Sequence, residues 1–246
     1  MNVLITGASG KMGSLIKGLL EKDTFFNHVY GFDQMIDQEH HIYSDLSSIP
    51  QVDVIIDFST PHIIKSLIQY ATTHHIPLVI ATTGYTDAQK QLIHEAANII
   101  PIFYSANYSY GVAILTEVLK QVSAKLESDF DIEIVEKHHH HKLDAPSGTS
   151  LHLAEAINSS LKIKKEIING HQGQRKHSEL AIHAVRGGSL VGEHQVIFAG
   201  QDEVIEITHS AQSKAIFAHG AIKASKFLIH QKKGLYTMTD LLKEDM

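Results

Sequence analysis

The sequence predicts an α/β protein made of two parts with different organisation. Up to about residue 109, short β-branched runs alternate with amphipathic segments, the pattern of a parallel sheet covered by helices. Beyond it, strand-like runs follow one another with few helices between them. We therefore expect one domain formed by residues 1–109 and 211–246, and a second α+β domain, residues 110–210, built on a mixed or antiparallel sheet.

The first strand and turn of the chain favour a nucleotide-binding unit. The β-branched strand Val3–Thr6 runs directly into a G-x-x-G-x-x-G turn, Gly7-Ala8-Ser9-Gly10-Lys11-Met12-Gly13, and then into a helix, Ser14–Lys22. Glycines at this spacing let backbone N–H groups approach a pyrophosphate at a helix N-terminus. A second strand, His28–Phe32, ends in Asp33, whose carboxylate suits an adenosine ribose. This combination predicts a Rossmann-like dinucleotide-binding domain.

The alternation continues with strands at 52–58, 78–81 and 102–104 and helices at 63–73 and 90–98. In an open parallel sheet, ligands lie across the carboxyl ends of the strands. The segments expected along that crevice are Gly7 to Gly13, Asp33, Phe58, Ala81 to Thr83 and Ser105 to Tyr108. In the rest of the chain, the sequence pattern predicts helices at 111–126 and 151–157 and a last helix at 211–230. Strands are predicted at 163–168, 179–185, 193–199 and 204–209, with little parallel βαβ character.

Composition narrows the classes of function. The chain has 246 residues, 43% of them hydrophobic, which is enough for a substantial core. Its formal charge is −6 and only two of its 21 basic residues are arginines, which argues against nucleic-acid binding. Without cysteines, disulfide and thiolate chemistry are excluded. The chain opens on a strand-like run and contains no apolar stretch of about 18 residues, so we expect a cytoplasmic protein without a membrane contact.

The segment from Asp131 to Ser150, DIEIVEKHHHHKLDAPSGTS, carries the densest set of reactive groups. A strand that begins at Asp131 is expected to end where four histidines, His138 to His141, precede Lys142. Imidazoles titrate near neutrality, so they can exchange protons at pH 7. The Pro146-Ser147-Gly148-Thr149 turn that follows leads into a helix, whose first N–H groups and hydroxyls are expected to hold a carboxylate.

Three simpler interpretations apply to this segment. Histidines inside a patterned segment are not a terminal tag. His139 and His141 could share a strand face and bind zinc, but the lack of cysteines and the adjacent Lys142 disfavour a metal, and we expect none. Pro-Ser-Gly-Thr taken alone is more often an ordinary helix cap than a ligand site.

These residues resemble the dihydrodipicolinate reductase family. The family's pattern, E-[IV]-x-E-x-H-x-x-x-K-x-D-x-P-S-G-T, is filled at every specified position between Glu133 and Thr149. The resemblance also covers the glycine turn, Asp57-Phe58-Ser59, Thr82-Thr83-Gly84, Ala106-Asn107-Tyr108-Ser109, Arg186-Gly187-Gly188 and Val191-Gly192-Glu193-His194. It implies NADH- or NADPH-dependent reduction of a cyclic dicarboxylate to tetrahydrodipicolinate, on the diaminopimelate route to lysine, by a homotetramer.

The resemblance also implies roles for particular residues. His138 is the proton donor and acceptor, Lys142 is a further proton donor, and His139, Gly148 and Thr149 hold the substrate, to which we add Ser147 at the same helix start. The residues expected to contact the cofactor, together with Asp33, are Gly7, Ala8, Ser9, Gly10, Lys11, Met12, Ala81, Thr82, Thr83, Ser105, Ala106, Asn107 and Tyr108. Two positions depart from the common pattern: Lys11 stands where many members have arginine, and Tyr108 where many have phenylalanine.

Two other classes of nucleotide-binding protein fit part of the sequence. A short-chain-type dehydrogenase shares the opening T-G-A-S-G-x-x-G, but it requires a Tyr-x-x-x-Lys pair that none of the eight tyrosines forms. A redox-sensing regulator has no need of a proton donor and would leave the segment from His138 to Lys142 unexplained.

Overall fold

The computed structural model describes residues 1–37 and 39–244. These residues divide into two compact units. One comprises Met1–Tyr110 and the chain from Ala215 on, and the other comprises Gly111–Lys214. The sequence placed these boundaries at 109/110 and 210/211.

The strands are β1 (Asn2–Thr6), β2 (His28–Phe32), β3 (Ile42–Tyr43), β4 (Val54–Asp57), β5 (Leu78–Ile80), β6 (Pro101–Tyr104), β7 (Asp131–His138), β8 (Glu166–Asn169), β9 (Glu179–Arg186), β10 (Gly192–Ala199), β11 (Val204–Ala211) and β12 (Gly234–Tyr236). The α-helices are α1 (Lys11–Leu20), α2 (Ile64–Thr73), α3 (Asp87–Ala96), α4 (Tyr110–Leu126), α5 (Gly148–Ser160), α6 (Ala215–Leu228) and α7 (Met238–Glu244). Short 3-10 turns lie at Leu46–Ser48 and Pro61–Ile63.

The first unit contains a parallel sheet of seven strands in the order β12-β6-β5-β4-β1-β2-β3. The chain runs outward from β1 through β2 to β3, and then returns to the other side of β1 with β4. This reversal is the switch point of a doubly wound sheet, where ligands bind outside the carboxyl ends of the strands. Local hydrogen bonds support these elements: Thr86, the N-cap of α3, forms a full capping box with Gln89.

The second unit contains a mixed sheet of five strands in the order β11-β10-β7-β9-β8. β10 pairs antiparallel with β7 and with β11, whereas β9 pairs parallel with β7 and with β8. The sequence predicted a mixed or antiparallel sheet, and the sheet is mixed. The expectation of little parallel character was wrong for the side formed by β7, β9 and β8, whose pairs are parallel. Helix α5 lies between β7 and β8 in the chain, and such a crossover allows successive strands to run in the same direction.

One face of this sheet carries the core of the second unit. Ile132 and Ile134 of β7 are buried in it, together with Leu119 of α4 and Leu153 of α5. Burial alternates along the whole of β7, so its last two inward-facing residues are Glu136 and His138. The strand therefore continues from an apolar core into a buried polar pair.

Several boundaries differ from the prediction. Helix α1 begins at Lys11, three residues before the predicted start. Its N-cap is Gly10, which forms no side-chain hydrogen bond, so the sequence pattern does not mark the start of the helix. The last long helix begins at Ala215 because β11 extends to Ala211. The short elements β3, β12 and α7 were not predicted. Within the described residues, no helix has the length and apolar character needed to cross a membrane.

Candidate active site

The glycine turn after β1 is shaped for close approach of another group. Gly7 has φ of +74°, and a Cβ atom there would lie 2.4 Å from the Phe58 carbonyl oxygen. A Cβ atom on Gly13 would lie 2.0 Å from the carbonyl oxygen of Gly7, so helix α1 can pack on the turn only with glycine at this position. The first bond that closes α1 runs from Ser14 N to Gly10 O (2.9 Å), and its first turn carries no acidic residue. Its N-terminus therefore suits an anion such as a pyrophosphate.

Asp33 lies at the carboxyl end of β2, where the sequence placed it, and it is bonded to the glycine turn. One carboxylate oxygen accepts the backbone N–H of Ser9 (2.9 Å) and the other accepts that of Gln34 (2.7 Å). A cleft of about 320 Å³ opens beside it at the switch point. Its lining residues are Gly7, Gly10, Phe32, Asp33, Gln34, Phe58, Ser59, Thr60 and Ile63.

The loops after β5 and β6 hold the remaining predicted cofactor residues. Ala81 N donates to Asp57 O (2.9 Å), and Ser105 Oγ donates to Asn107 O (2.9 Å). Tyr108 is buried, and its hydroxyl donates to the Ile80 (2.7 Å) or Phe103 (3.1 Å) carbonyl oxygen. The hydroxyl group that tyrosine has and phenylalanine lacks therefore hydrogen-bonds to backbone carbonyl groups near the ends of β5 and β6. Burial raises the pKa of Tyr108, with the nearby Asp57 carboxylate adding to the effect.

The centre of the polar site in the second unit is His138. Its Nδ1 contacts Oε2 of Glu136, whose side chain is fully buried. Burial acts to raise the pKa of Glu136, but hydrogen bonds from Arg186 and His138 outweigh it and lower the pKa. An ionised carboxylate only accepts hydrogen bonds, so Nδ1 carries the hydrogen and Nε2 is left for exchange. A Cβ atom on Gly192 would lie 3.1 Å from Nε2, so glycine keeps that side of the ring open.

Besides His138 on its own strand, Glu136 is bonded by groups from the neighbouring strand β9 and from the start of α5. Arg186 of β9 donates Nη1 to Oε2 (2.8 Å) and Nη2 to Oε1 (2.7 Å), a two-pronged ion pair. The backbone N–H of Ser147 also donates to Oε1 (3.1 Å). One carboxylate thus joins the His138 imidazole, an arginine and the start of α5.

His194 of β10 lies opposite Glu136 in the sheet, and its ring meets that of His138 edge to face at 5.2 Å. Burial lowers the pKa of His194 to about 4, and the neighbouring His138 contributes. His194 is therefore neutral at pH 7. Its Nε2 lies 3.1 Å from Ser147 Oγ, which also caps α5 by accepting Ser150 N (3.1 Å).

The predicted substrate residues lie in the loop and helix start that follow β7. Ser147 is buried and its hydroxyl is used for capping, whereas a Cβ atom on Gly148 would meet no atom within 4 Å. Lys142 Nζ pairs with both carboxylate oxygens of Asp144, at 2.7 and 2.8 Å. The pKa of Asp144 is lowered, chiefly by Lys142 and to a lesser extent by the backbone N–H of Gly148. This helix start therefore already attracts a carboxylate.

The histidine run does not extend the strand. β7 ends at His138, and His140 and His141 lie in a turn, so the shared strand face considered for His139 and His141 is absent. Desolvation lowers the pKa of His139, with the His141 charge acting in the same direction.

Sequence reasoning missed the roles of Glu136, Arg186 and His194 in this network. A signal was present: Glu136 and His138 stand two apart on the face of β7 that carries Ile132 and Ile134. A carboxylate on a core face needs a cationic partner, and Arg186 is one of only two arginines in the chain.

Known proteins match this chain over nearly its whole length. Models of the dihydrodipicolinate reductase N-terminus and C-terminus match residues 1–108 and 111–242. The 4-hydroxy-tetrahydrodipicolinate reductase of Caldanaerobacter subterraneus subsp. tengcongensis is 49% identical over 99% of both chains. That of Clostridium tetani is 44% identical over 98% of this chain and 97% of the relative.

A solved structure supports the fold. Dihydrodipicolinate reductase from Paenisporosarcina sp. TG-14, with dipicolinate bound, superimposes with a TM-score of 0.80 over 96% of this chain and 97% of that one, at 24% identity. Two matched halves and full-length relatives lead to one conclusion: the chain belongs to the dihydrodipicolinate reductase family.

Proposed function

We propose that this chain is an NAD(P)H-dependent 4-hydroxy-tetrahydrodipicolinate reductase. It reduces the cyclic dihydrodipicolinate-type intermediate to tetrahydrodipicolinate on the diaminopimelate route to lysine. The observation that carries the proposal is the name shared by full-length relatives at up to 49% identity, joined to a buried hydrogen-bonded network around His138. The dipicolinate bound to the Paenisporosarcina enzyme is a cyclic dicarboxylate of the proposed kind.

The first unit is proposed to bind the nicotinamide cofactor, which supplies a hydride when bound. The start of α1 holds the pyrophosphate, and Asp33 accepts hydrogen bonds from the adenosine ribose. The remaining contacts are assigned to Ala81–Thr83 and Ser105–Tyr108. The Asp33 carboxylate favours a free ribose 2′-hydroxyl, whereas the charge of Lys11 favours a 2′-phosphate.

We therefore expect both NADH and NADPH to be used. The kcat/KM values for the two cofactors are expected to differ by less than about a thousandfold, which corresponds to roughly 4 kcal/mol of discrimination. Steady-state rates with each cofactor measure this ratio. A larger preference in either direction would mean that only one of Asp33 and Lys11 meets the cofactor.

In the second unit, His138, protonated at both ring nitrogens, is proposed to give its Nε2 proton to the electron-rich ring that hydride delivery creates and to return to the form with hydrogen on Nδ1 alone. A positioned acid of this kind contributes about 10²–10⁴-fold to the rate. Glu136 fixes the ring through Nδ1, and the neutral His194 beside it adds no competing charge. Lys142 is proposed as a further proton donor. Its ammonium group also pairs with Asp144, so it must interact with both the substrate and that carboxylate.

The start of α5 is proposed to bind a substrate carboxylate through Gly148 and Thr149, with His139 nearby. The open space beside Gly148 leaves room for it. Ser147 acts here through its cap, because its buried hydroxyl already binds within the protein. In this proposal the incoming carboxylate takes over the attraction that the helix start now exerts on Asp144.

Conversion of His138 to glutamine tests the proposal. Oxidation of NADH or NADPH that depends on the condensation product of pyruvate and aspartate semialdehyde measures the activity. His138→Gln is expected to lower kcat by about 10²–10⁴-fold while the Kd of the cofactor stays nearly unchanged. The matched control is His140→Gln, an exposed histidine of the same run. Absence of activity in the unmodified chain would reject the function, and unchanged turnover in His138→Gln would reject the role of His138.

The resemblance also implies a homotetramer, which we include in the proposal. Apolar side chains of the second unit are exposed at Val185, Leu190, Val191, Val204 and Ile205, and they support self-association.

A further inference from the structure

A second cluster of ligand-type side chains lies on the opposite face of β7, and the proposed reaction does not use it. Glu133 projects from the centre of β7, His183 from the neighbouring β9, and His171 from the loop that follows β8. Each is half-buried. One ligand atom from each lies within 4.8 Å of the other two.

The three ligand atoms face one another. Oε2 of Glu133 lies 2.8 Å from His183 Nε2 and 3.0 Å from His171 Nε2. Tetrahedral coordination with bonds of 2.0–2.1 Å separates ligand atoms by about 3.3 Å. The two carboxylate–imidazole separations therefore need to open by only a few tenths of an ångström to surround an ion, and the two imidazole nitrogens already lie within 4.8 Å of each other.

The surroundings also resemble the outer shell of a metal site. Arg175 Nε donates to the other carboxylate oxygen of Glu133 (2.7 Å), Oε1, from which His171 Nε2 also lies 3.0 Å. His171 Nδ1 lies 3.3 Å from Glu179 Oε2. A ligating histidine commonly directs its second nitrogen at a carboxylate, which fixes its tautomer and orientation. The Arg175 charge would oppose an ion, but Arg175 is itself paired with Asp131.

We propose that Glu133, His171 and His183 form a binding site for one divalent transition-metal ion of the Zn²⁺ class per chain. Two imidazole nitrogens and one carboxylate oxygen suit Zn²⁺, Co²⁺ or Ni²⁺, whereas Mg²⁺ and Ca²⁺ prefer oxygen ligands alone. Three protein ligands leave a fourth position for water. The ion joins the loop after β8 to two adjacent strands and thereby stabilises the second unit.

The experiment uses the full-length chain, stripped with a chelator and titrated with Zn²⁺ in a calorimeter. We expect about one Zn²⁺ per chain and, at a hundredfold excess over Kd, a rise of about 5 to 10 °C in Tm. Co²⁺ is expected to give the visible absorption of a tetrahedral site.

Variants separate this site from the histidine run. His183→Gln and His171→Gln each remove a ligand and are expected to raise the Kd of Zn²⁺ by more than roughly a hundredfold. Glu179→Gln removes a group that only orients a ligand, and it should raise the Kd by about 10–100-fold. The matched control is the double variant His140→Gln/His141→Gln, which removes two exposed histidines and should bind Zn²⁺ like the unmodified chain. No stoichiometric Zn²⁺ in the unmodified chain overturns the proposal. So does binding that survives in His183→Gln and disappears in the control.

Discussion

The Glu136–Arg186 pair gives the sharpest test of how the site is held together. Glu136→Gln leaves one acceptor oxygen where the carboxylate now accepts two bonds from Arg186, one from His138 and one from Ser147 N. Hydrogen bonds to charged groups contribute about 1.5–3 kcal/mol each, and breaking a buried ion pair costs about 3–5 kcal/mol. We expect Glu136→Gln to lower the free energy of unfolding by about 3–5 kcal/mol.

A double-mutant cycle distinguishes this pair from general disturbance of the core. Arg186→Met removes the cation and keeps an apolar side chain of similar length. If Glu136→Gln acts mainly by leaving Arg186 without its counter-charge, the double variant should lose about 1–3 kcal/mol less than the two single losses added together. Urea unfolding followed by far-UV circular dichroism measures all four proteins. Additivity within about 0.5 kcal/mol would refute the reasoning.

Two further predictions concern other parts of the structure. Gly13→Ala should weaken NADH binding at least about tenfold, because its Cβ atom would lie 2.0 Å from Gly7 O. In Gly18→Ala, in the same helix, the new Cβ atom meets nothing within 4 Å, so the protein should instead be stabilised by about 0.5–1 kcal/mol. Calorimetry measures NADH binding and thermal melts measure stability for both variants. Equal effects of the two substitutions would contradict the packing argument. His194 has an ordinary pKa of 6.5 and a folded value of about 4, so the unfolded chain takes up the proton first and stability falls as the pH drops from 6.5 to 4. His194→Gln should remove about 3 kcal/mol of that fall, and an unchanged pH slope in urea unfolding would count against burial as its cause.

Much of the fold was predictable because many of the interactions that determine it join residues close together in the sequence. Glycines in the turn after β1, the capping box of α3 and period-two burial on β7 all leave a pattern in consecutive residues. The two-residue strand β3 and the three-residue strand β12 leave almost none, since pairing with an existing sheet, and not their own composition, makes them strands. The parallel pairing of β7 with β9 was missed for the same reason.

The site divides in a similar way. The chain placed His138, Lys142 and the start of α5 within one short segment, so the sequence indicated them directly. Arg186 and His194 come from β9 and β10, and only the register of the sheet brings them to Glu136. Lys142 was expected to be a further proton donor, but its pairing with Asp144 depends on how the loop folds.

The bond from Ser147 N to Glu136 has a consequence for evolution of the substrate pocket. Glu136 anchors both the acid that is proposed to act on the ring and the helix start that is proposed to grip a carboxylate. A substitution that shifts this anchor is therefore expected to displace both groups together and to leave their spacing nearly unchanged. Arg186, which pairs with the same carboxylate, also donates to the Asp144 carbonyl oxygen (2.6 Å), so the loop between His139 and Ala145 is held by this anchor as well.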